Sequence, residues 1–140
     1  MVKEIVKNID FLEKPLEKVE SVEEIKDVIA DMLDTARFYT ARCLGMAANQ
    51  IGSTKRLIVV KITDKDFMTM INPVIVKEST QWYIATESCM SLDGERKVMR
   101  KRWVDIMYRD AAFKIKKMHC TGLVAQIVQH EIDHLNGVII

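Results

Sequence analysis

Residues 121–136, which read TGLVAQIVQHEIDHLN, carry the pattern around which the rest of the chain can be arranged. Apolar side chains recur here three and four positions apart, which predicts an amphipathic helix with Thr121 as a plausible N-cap. The apolar positions are Leu123, Val124, Ile127, Val128, Ile132 and Leu135. His130 and His134 are one helical turn apart, so both imidazoles project from one face. Residues 130–134 therefore fit H-E-x-x-H, a pattern in which two histidines hold a metal ion.

A metal site needs a third ligand, and the stretch after His134, LNGVII, contains no His, Cys, Asp or Glu. The ligand is therefore expected upstream, where the candidates are Cys43, Cys89, His119 and Cys120. His119 and Cys120 are the weaker candidates because the helical stretch between Cys120 and the first histidine would span about 15 Å.

Cys43 and Cys89 differ in their sequence surroundings. Cys43 opens a segment of small residues, CLGMAANQIG, where a buried thiol is as plausible as a ligand. Cys89 lies in TESCMSLDGE among polar residues, where core filling is a less expected role for a cysteine. We favour Cys89, which gives a Cys-His-His site with an open fourth position for water.

Two further side chains have chemistry that suits such a site. A bound divalent ion brings the pKa of its water towards about 7, and Glu131 could exchange a proton with that water. Attack on an amide carbonyl also needs a hydrogen-bond donor for the oxyanion. Gln50 could supply it, although an ordinary loop glutamine is equally plausible. The competing interpretation of the histidine pair is a chance match on a surface helix, which the apolar character of this helix disfavours.

The remaining sequence predicts a second helix and several strands. Residues 21–42 have helical periodicity, and Ser21 followed by Glu24 predicts a capping box. Residues 43–52 read as a loop. The predicted strands are residues 56–62, 68–79 with Pro73 at an edge or bulge, 81–86, and a hairpin of 98–110 with 112–120. The order of elements predicts an α+β fold, in which mostly antiparallel sheets pack around a central C-terminal metal-binding helix with an N-terminal covering helix.

Composition limits the classes of protein to which the chain can belong. Its 140 residues suit a single catalytic domain over residues 1–140, and the net charge of +1 gives no general attraction to nucleic acid or anionic membranes. The charged N-terminus lacks the apolar core of a signal peptide, and no stretch approaches a membrane span. We therefore expect a cytoplasmic protein whose three separated cysteines form no disulfide framework.

Three segments, GMAANQ, ESCMS and QHEIDHL, together resemble the motifs of the peptide deformylase family, G-Φ-G-Φ-A-A-x-Q, E-G-C-Φ-S and Q-H-E-x-D-H, where Φ is apolar. The matching residues are Gly45, Met46, Ala47, Ala48, Gln50, Glu87, Cys89, Met90, Ser91, Gln129, His130, Glu131, Asp133 and His134. The resemblance extends from about residue 10 to the end of the chain. The combination of three motifs in this order is far more specific than any one of them.

The resemblance implies a bacterial-type metallohydrolase that removes the N-formyl group from the formyl-methionine of newly made proteins and releases formate. Cys89, His130 and His134 would bind one Fe²⁺ ion, which Zn²⁺, Ni²⁺ or Co²⁺ replaces in preparations. The expected partners are N-formylmethionyl nascent peptides near the ribosome. Neither a nucleic-acid motif nor membrane attachment is expected.

The resemblance also implies roles in the reaction and in substrate binding. Glu131 would move a proton from metal-bound water to the leaving amine, while Gln50 and the backbone N–H of Met90 would hold the oxyanion. The peptide would lie as an extended strand between the segments around Gly45 and Ser88. The matching substrate-contact positions are Leu44, Gly45, Ser88, Arg96, Leu123 and Ile127.

Two residues depart from the family's motifs and keep alternative functions open. Cys43 and Ser88 stand where the motifs have glycine, so an added Cβ could narrow the pocket or shift the substrate backbone. One alternative is therefore a deformylase-like protein with weak or no turnover. Another is an H-E-x-x-H metallopeptidase acting on internal bonds, which the missing downstream ligand disfavours.

Overall fold

The computed structural model describes residues 1–140. Its helices are α1 (Ile9–Leu12), α2 (Lys26–Phe38) and α3 (Gly122–Leu135), with short 3₁₀ helices at Val22–Glu24 and Ala48–Ile51. Its strands are β1 (Gly45–Ala47), β2 (Leu57–Lys61), β3 (Phe67–Glu78), β4 (Trp82–Glu87), β5 (Arg96–Lys101), β6 (Trp103–Arg109) and β7 (Ile115–Thr121). None of the helices is long and apolar enough to span a membrane.

The strands form two antiparallel sheets, as the α+β prediction required. The larger sheet has the order β1-β2-β3-β6-β7, and β4 pairs with β5 alone in the smaller sheet. Helix α3 packs against β1, β2 and β7, and its buried apolar residues join those of β2 in one core cluster. Thr121 is the N-cap residue of α3, although its side chain makes no capping hydrogen bond. The predicted C-terminal helix is therefore confirmed, and it packs against the larger sheet.

The predicted N-terminal helix over residues 21–42 is shorter in the structure, and its predicted capping box is wrong. Ser21 makes no side-chain capping bond, and Glu24 Oε2 instead accepts a hydrogen bond from the backbone N–H of Glu20 at 3.1 Å. Ile25 follows the 3₁₀ helix with φ −130°, outside the helical range, and its side chain is fully buried in the core. Ile25 therefore joins the core cluster directly before α2 begins at Lys26.

Two strand predictions also need correction. The strand predicted over residues 98–110 is divided at Arg102, whose backbone N–H donates to the carbonyl of Gln81 at 3.1 Å. No glycine or proline marks the division in the sequence, but β5 pairs with β4, whereas β6 pairs with β3 and β7. The loop predicted over residues 43–52 contains β1, which pairs with β2 through Met46 opposite Val59.

An irregularity of β3 lies at Pro73, as predicted. The register between β3 and β6 shifts between Ile71 and Val74, and Asn72 adopts a positive φ of 50°. The Asn72 amide pairs with the main chain of Val19: its Oδ1 accepts from the N–H at 2.9 Å, and its Nδ2 donates to the carbonyl at 2.8 Å. The bulge thus ties the N-terminal segment to the sheet.

Candidate active site

The three side chains predicted as metal ligands lie together. His130 and His134 project from α3, and Cys89 lies just beyond the end of β4. One donor atom from each residue lies within 4.8 Å of the other two. Both histidines are buried and Cys89 is half-buried, and Cys89 and His130 line one cavity. One sulfur and two imidazole nitrogens form a donor set that suits Zn²⁺ or Fe²⁺.

A carboxylate orients His130. Its Nδ1 lies 2.7 Å from Glu87 Oε1, which leaves Nε2 available for an ion. Arg100 holds the same carboxylate through two hydrogen bonds, from Nε to Oε2 at 2.9 Å and from Nη2 to Oε1 at 2.6 Å. Its Nη1 donates to Asp133 Oδ2 at 2.6 Å, so one guanidinium joins β5, the end of β4 and α3. These buried charges support the histidine from behind.

The pKa values of the three candidate ligands shift because the thiolate and the protonated imidazoles stabilise one another, so an ion that binds here displaces the imidazole protons. Burial raises the pKa of Cys89, but hydrogen bonds with His130 and His134 outweigh it and lower the value to about 6. Burial lowers the pKa of both imidazoles, yet Cys89 and Glu87 bring that of His130 to about 9. Glu131 and Cys89 bring that of His134 to about 10. Cys89 is therefore a thiolate near neutral pH, which is the form that ligates metals.

Glu131 lies on the same face of α3 and is buried beside the cluster. Its Oε1 is 3.1 Å from His134 Nδ1. The facing strand β1 approaches closely because Gly45 has no side chain. A Cβ at Gly45 would lie 2.7 Å from Ile127 Cγ2 and 3.0 Å from Glu131 Oε2. The absence of a side chain at Gly45 therefore provides the space that the Glu131 carboxylate occupies at the wall of the cavity.

Gln50 is buried at the end of the segment that follows β1, and hydrogen bonds fix its amide orientation. Its Oε1 accepts from the backbone N–H of Ala47 at 3.1 Å, and its Nε2 donates to Ser91 Oγ at 3.2 Å. The second N–H of Nε2 remains available to another acceptor. Because Gln50 and Cys89 line the same cavity, this donor lies within reach of a bound substrate.

A cavity of about 180 Å³ opens beside the cluster. Among its lining residues are most of the predicted substrate contacts and the proposed oxyanion donors: Leu44, Gly45, Gln50, Ser88, Met90, Leu123 and Ile127. Arg96 is the exception. It does not line this cavity and instead donates from Nη1 to the carbonyl of Asp93 at 3.0 Å, whereas Arg42 is the basic residue at the wall.

Cys43 and Ser88, the two departures from the family's motifs, also line the cavity. Ser88 is exposed, whereas Cys43 is only 1% exposed, and its Sγ donates to the carbonyl of Gly45 at 3.3 Å. Burial and the charge of Glu131 raise the pKa of Cys43 to about 12. This thiol therefore stays protonated and fills space behind β1.

Residues 2–140 match the family described as polypeptide deformylase. The chain belongs to this family. A peptide deformylase of Clostridium beijerinckii is 42% identical over 140 residues, which cover 100% of both chains. One from Dictyoglomus thermophilum is 36% identical over 143 aligned residues, covering 100% of this chain and 91% of the relative.

Solved deformylase structures have the same fold. The crystal structure of a peptide deformylase from Legionella pneumophila is 35% identical, has a TM-score of 0.90 and covers 99% of this chain and 83% of its own. A Met-Ala-Ser-bound class I type b peptide deformylase from Acinetobacter baumannii is 26% identical, with a TM-score of 0.90 and coverage of 99% and 97%. Peptide deformylases are metal-dependent hydrolases that remove the N-formyl group from newly made peptides, and this chain is such an enzyme.

The residues whose hydrogen bonds hold His130 in place were not predicted from the sequence. Glu87 and Asp133 lie within the family's motifs, close in sequence to Cys89 and His130, so their positions could have indicated a role beside the candidate ligands. Arg100 had no such signal, because it stands in the basic run VMRKRW and looks like an exposed strand residue. Its burial depends on the pairing of β5 with β4, which the sequence pattern did not predict.

Proposed function

We propose that Cys89, His130 and His134 hold the catalytic metal ion of this deformylase, with Fe²⁺ as the ion in the cell and Zn²⁺, Ni²⁺ or Co²⁺ as replacements. The observation that carries the proposal is the convergence of one donor atom from each residue within 4.8 Å. A divalent ion held there supplies a water whose pKa is low enough to give hydroxide at neutral pH. Glu87 supports the set by holding the ring of His130 at 2.7 Å.

Glu131 serves as the proton carrier of the proposed reaction. Its carboxylate is buried at the cavity wall, 3.1 Å from His134 Nδ1. It accepts a proton from the attacking water and returns it to the amide nitrogen as the carbon–nitrogen bond of the formamide breaks. Formate and the free α-amine of the peptide then leave. Proton transfer of this kind contributes about 10²–10⁴-fold in rate.

The oxyanion that develops on the formyl oxygen is held by two N–H groups. The Gln50 amide contributes its second Nε2–H, because the bonds with Ala47 and Ser91 leave that hydrogen free. The backbone N–H of Met90, next to Cys89 at the cavity, contributes the other. Fixed donors of this kind stabilise the transition state because they need no reorganisation during the reaction.

The peptide binds as an extended strand between the segments around Gly45 and Ser88. β1 is the edge strand of the larger sheet, so its outer side is available for pairing. Leu44, Leu123 and Ile127 give the cavity an apolar wall suited to a methionine side chain. We further propose that the natural substrates are N-formylmethionyl nascent chains, met near the ribosome in a bacterial-type cytoplasm.

Formate release from formyl-Met-Ala-Ser tests this proposal. The purified protein, kept anaerobic with Fe²⁺ or loaded with Ni²⁺, is expected to release one formate for each peptide deformylated. Mass spectrometry of the products should find intact Met-Ala-Ser, because internal cleavage would indicate a metallopeptidase. A metal-loaded protein that releases no formate would favour a deformylase-like binding protein without turnover.

A further inference from the structure

Cys89 lies in the loop between β4 and β5, the two strands of the small sheet. The small sheet pairs with no strand of the larger sheet. Two chain connections join the small sheet to the larger one, residues 79–81 and Arg102. Both lie at the end of the small sheet where Trp82 pairs with Lys101. Its other end carries Glu87 opposite Arg96, next to Cys89. The two connections therefore form a hinge at the end remote from the candidate ligand.

The distance from the hinge to the candidate ligand makes the angle of the small sheet important. The strand from Trp82 to Glu87 spans about 17 Å at about 3.3 Å per residue. A rotation of about 4° at the hinge would move Cys89 by about 1 Å, whereas metal–ligand distances tolerate about 0.2 Å. The chain connections fix the position of the hinge but leave this angle to other contacts.

Gln129 of α3 makes a contact at the hinge that can fix the angle. Its Oε1 accepts from the backbone N–H of Lys101 at 2.8 Å, and its Nε2 donates to the carbonyl of Lys101 at 2.9 Å. The amide thereby pairs with β5 as a neighbouring strand would. Nε2 also donates to the carbonyl of Ala125 at 3.0 Å, within α3 itself. With 7% exposure, Gln129 is buried and fully engaged.

Three other contacts between α3 and the small sheet are made by side chains alone. Tyr83 donates its hydroxyl to Gln126 Oε1 at 3.2 Å, and Arg100 donates to Asp133 Oδ2 at 2.6 Å. At the far end of β4, Glu87 Oε1 lies 2.7 Å from His130 Nδ1. All three can follow a moving strand by changing rotamer. Gln129 differs because it holds the main chain of β5 directly.

We propose that Gln129 is a positioning residue, which sets the angle of the small sheet against α3 so that Cys89 meets the two histidines at ligand distance. This inference rests on the proposed metal site. Gln129 directly precedes His130, so a single turn of α3 carries both the brace and a candidate ligand. The proposed role is purely geometric, because the amide of Gln129 does not titrate.

The test compares Gln129→Met with Asn72→Gly. Methionine keeps the length and neutrality of the side chain but loses the amide. Asn72 is a matched control because its amide makes the same two main-chain bonds, to Val19, and neither residue lines the cavity. Glycine tolerates the positive φ of position 72. For each protein, Co²⁺ is titrated while its thiolate charge-transfer absorbance is followed, and denaturant unfolding is measured without metal.

Gln129→Met is expected to weaken Co²⁺ binding about tenfold and to reduce the thiolate absorbance at saturation, at a stability similar to that of the control. Asn72→Gly should keep the affinity and absorbance of the wild type. Equal Co²⁺ affinity and absorbance in the two variants would overturn the positioning role. Gln129→Asn, whose shorter amide cannot reach Lys101 in the same way, is measured in parallel and decides the matter if the methionine variant does not fold.

The same titration separates this inference from the proposed function. A wild-type protein without the thiolate absorbance would overturn the metal site and the positioning role together. A wild-type protein with the absorbance, and a Gln129→Met variant indistinguishable from Asn72→Gly, would overturn the positioning role alone.

Discussion

Cys89 and Cys43 line the same cavity, yet their surroundings give them opposite chemistry. Cys89 meets the imidazoles of His130 and His134, whose hydrogen bonds outweigh burial and lower its pKa to about 6. Cys43 is buried near the charge of Glu131, and its pKa rises to about 12. One thiol is prepared to become a ligand, and the other stays a neutral space-filling group.

The difference between the two cysteines comes first from the burial of Cys43 and then from the residues of α3 that each one faces. A thiolate is stabilised by groups that donate hydrogen bonds to it, and the paired imidazoles do so. The carboxylate of Glu131 has the opposite effect, because a second negative charge nearby is unfavourable. The protonation of a cysteine in this cavity is therefore decided by its burial and by the side chains of α3 nearest to it. Each prediction below tests that conclusion.

The largest expected effect comes from removing Cys89. Cys89→Ala should lose more than about 100-fold in metal affinity, because a candidate ligand matters more than the outer contacts that cost about 10–100-fold. Formate release from formyl-Met-Ala-Ser should fall to background. Equilibrium dialysis against Zn²⁺ measures the affinity. Cys120→Ala is the control, since Cys120 is buried outside the cavity, and a reversal of the two outcomes would show the ligand assignment to be wrong.

Glu131→Gln should separate catalysis from metal binding. The amide cannot carry the proton, so kcat for formate release should fall by about 10²–10⁴-fold while the metal stays bound. Loss of the negative charge should also lower the pKa of Cys43, because Glu131 contributes to its elevation. Steady-state kinetics with metal analysis of the same sample checks the first result. Retention of full activity would exclude Glu131 as the proton carrier.

The sequence predicted the C-terminal helix, and the three side chains it offered as candidate ligands lie together in the structure. Both predictions depended on local information: a period of three to four residues for the helix, and the polar surroundings of Cys89 for the third candidate ligand. The division at Arg102 was not predictable in the same way, since no glycine or proline marks it and only the pairing partners of the strands change there. The outer support of His130 by Glu87 and Arg100 depends on that division.

The substrate side was predicted less completely for a similar reason. Leu44 and Leu123 line the cavity as expected from the motif match, since Leu44 directly precedes Gly45 of the first motif and Leu123 lies in α3. Arg96 does not, because the loop before β5 turns its guanidinium towards Asp93. Arg42 lines the cavity instead, from the segment between α2 and β1. Local periodicity in the sequence does not predict the geometry of the loops that connect helices and strands.

The third prediction uses the pH dependence of thiol alkylation. In metal-free protein, the thiolate fraction of Cys89 increases as pH rises through about 6, so its rate with iodoacetamide should rise over that range and then level off. Cys43 and Cys120, with pKa values of about 12 and 11, should not react at pH 7. Peptide mapping identifies the modified residue. Zn²⁺ should protect Cys89, and alkylation of Cys43 at neutral pH would contradict the comparison.

The smallest effect is expected at Cys43, and it tests whether the departure from the motif glycine alters substrate choice. Cys43→Gly removes a buried thiol and adds backbone freedom, which should destabilise the protein by about 1–2 kcal/mol in denaturant unfolding. Metal affinity should not change, because the thiol is protonated and bonded to the carbonyl of Gly45. The kcat/KM of a formyl-Phe peptide relative to formyl-Met should rise by up to about tenfold, as the wall behind β1 recedes. An unchanged ratio would mean that Cys43 serves packing alone.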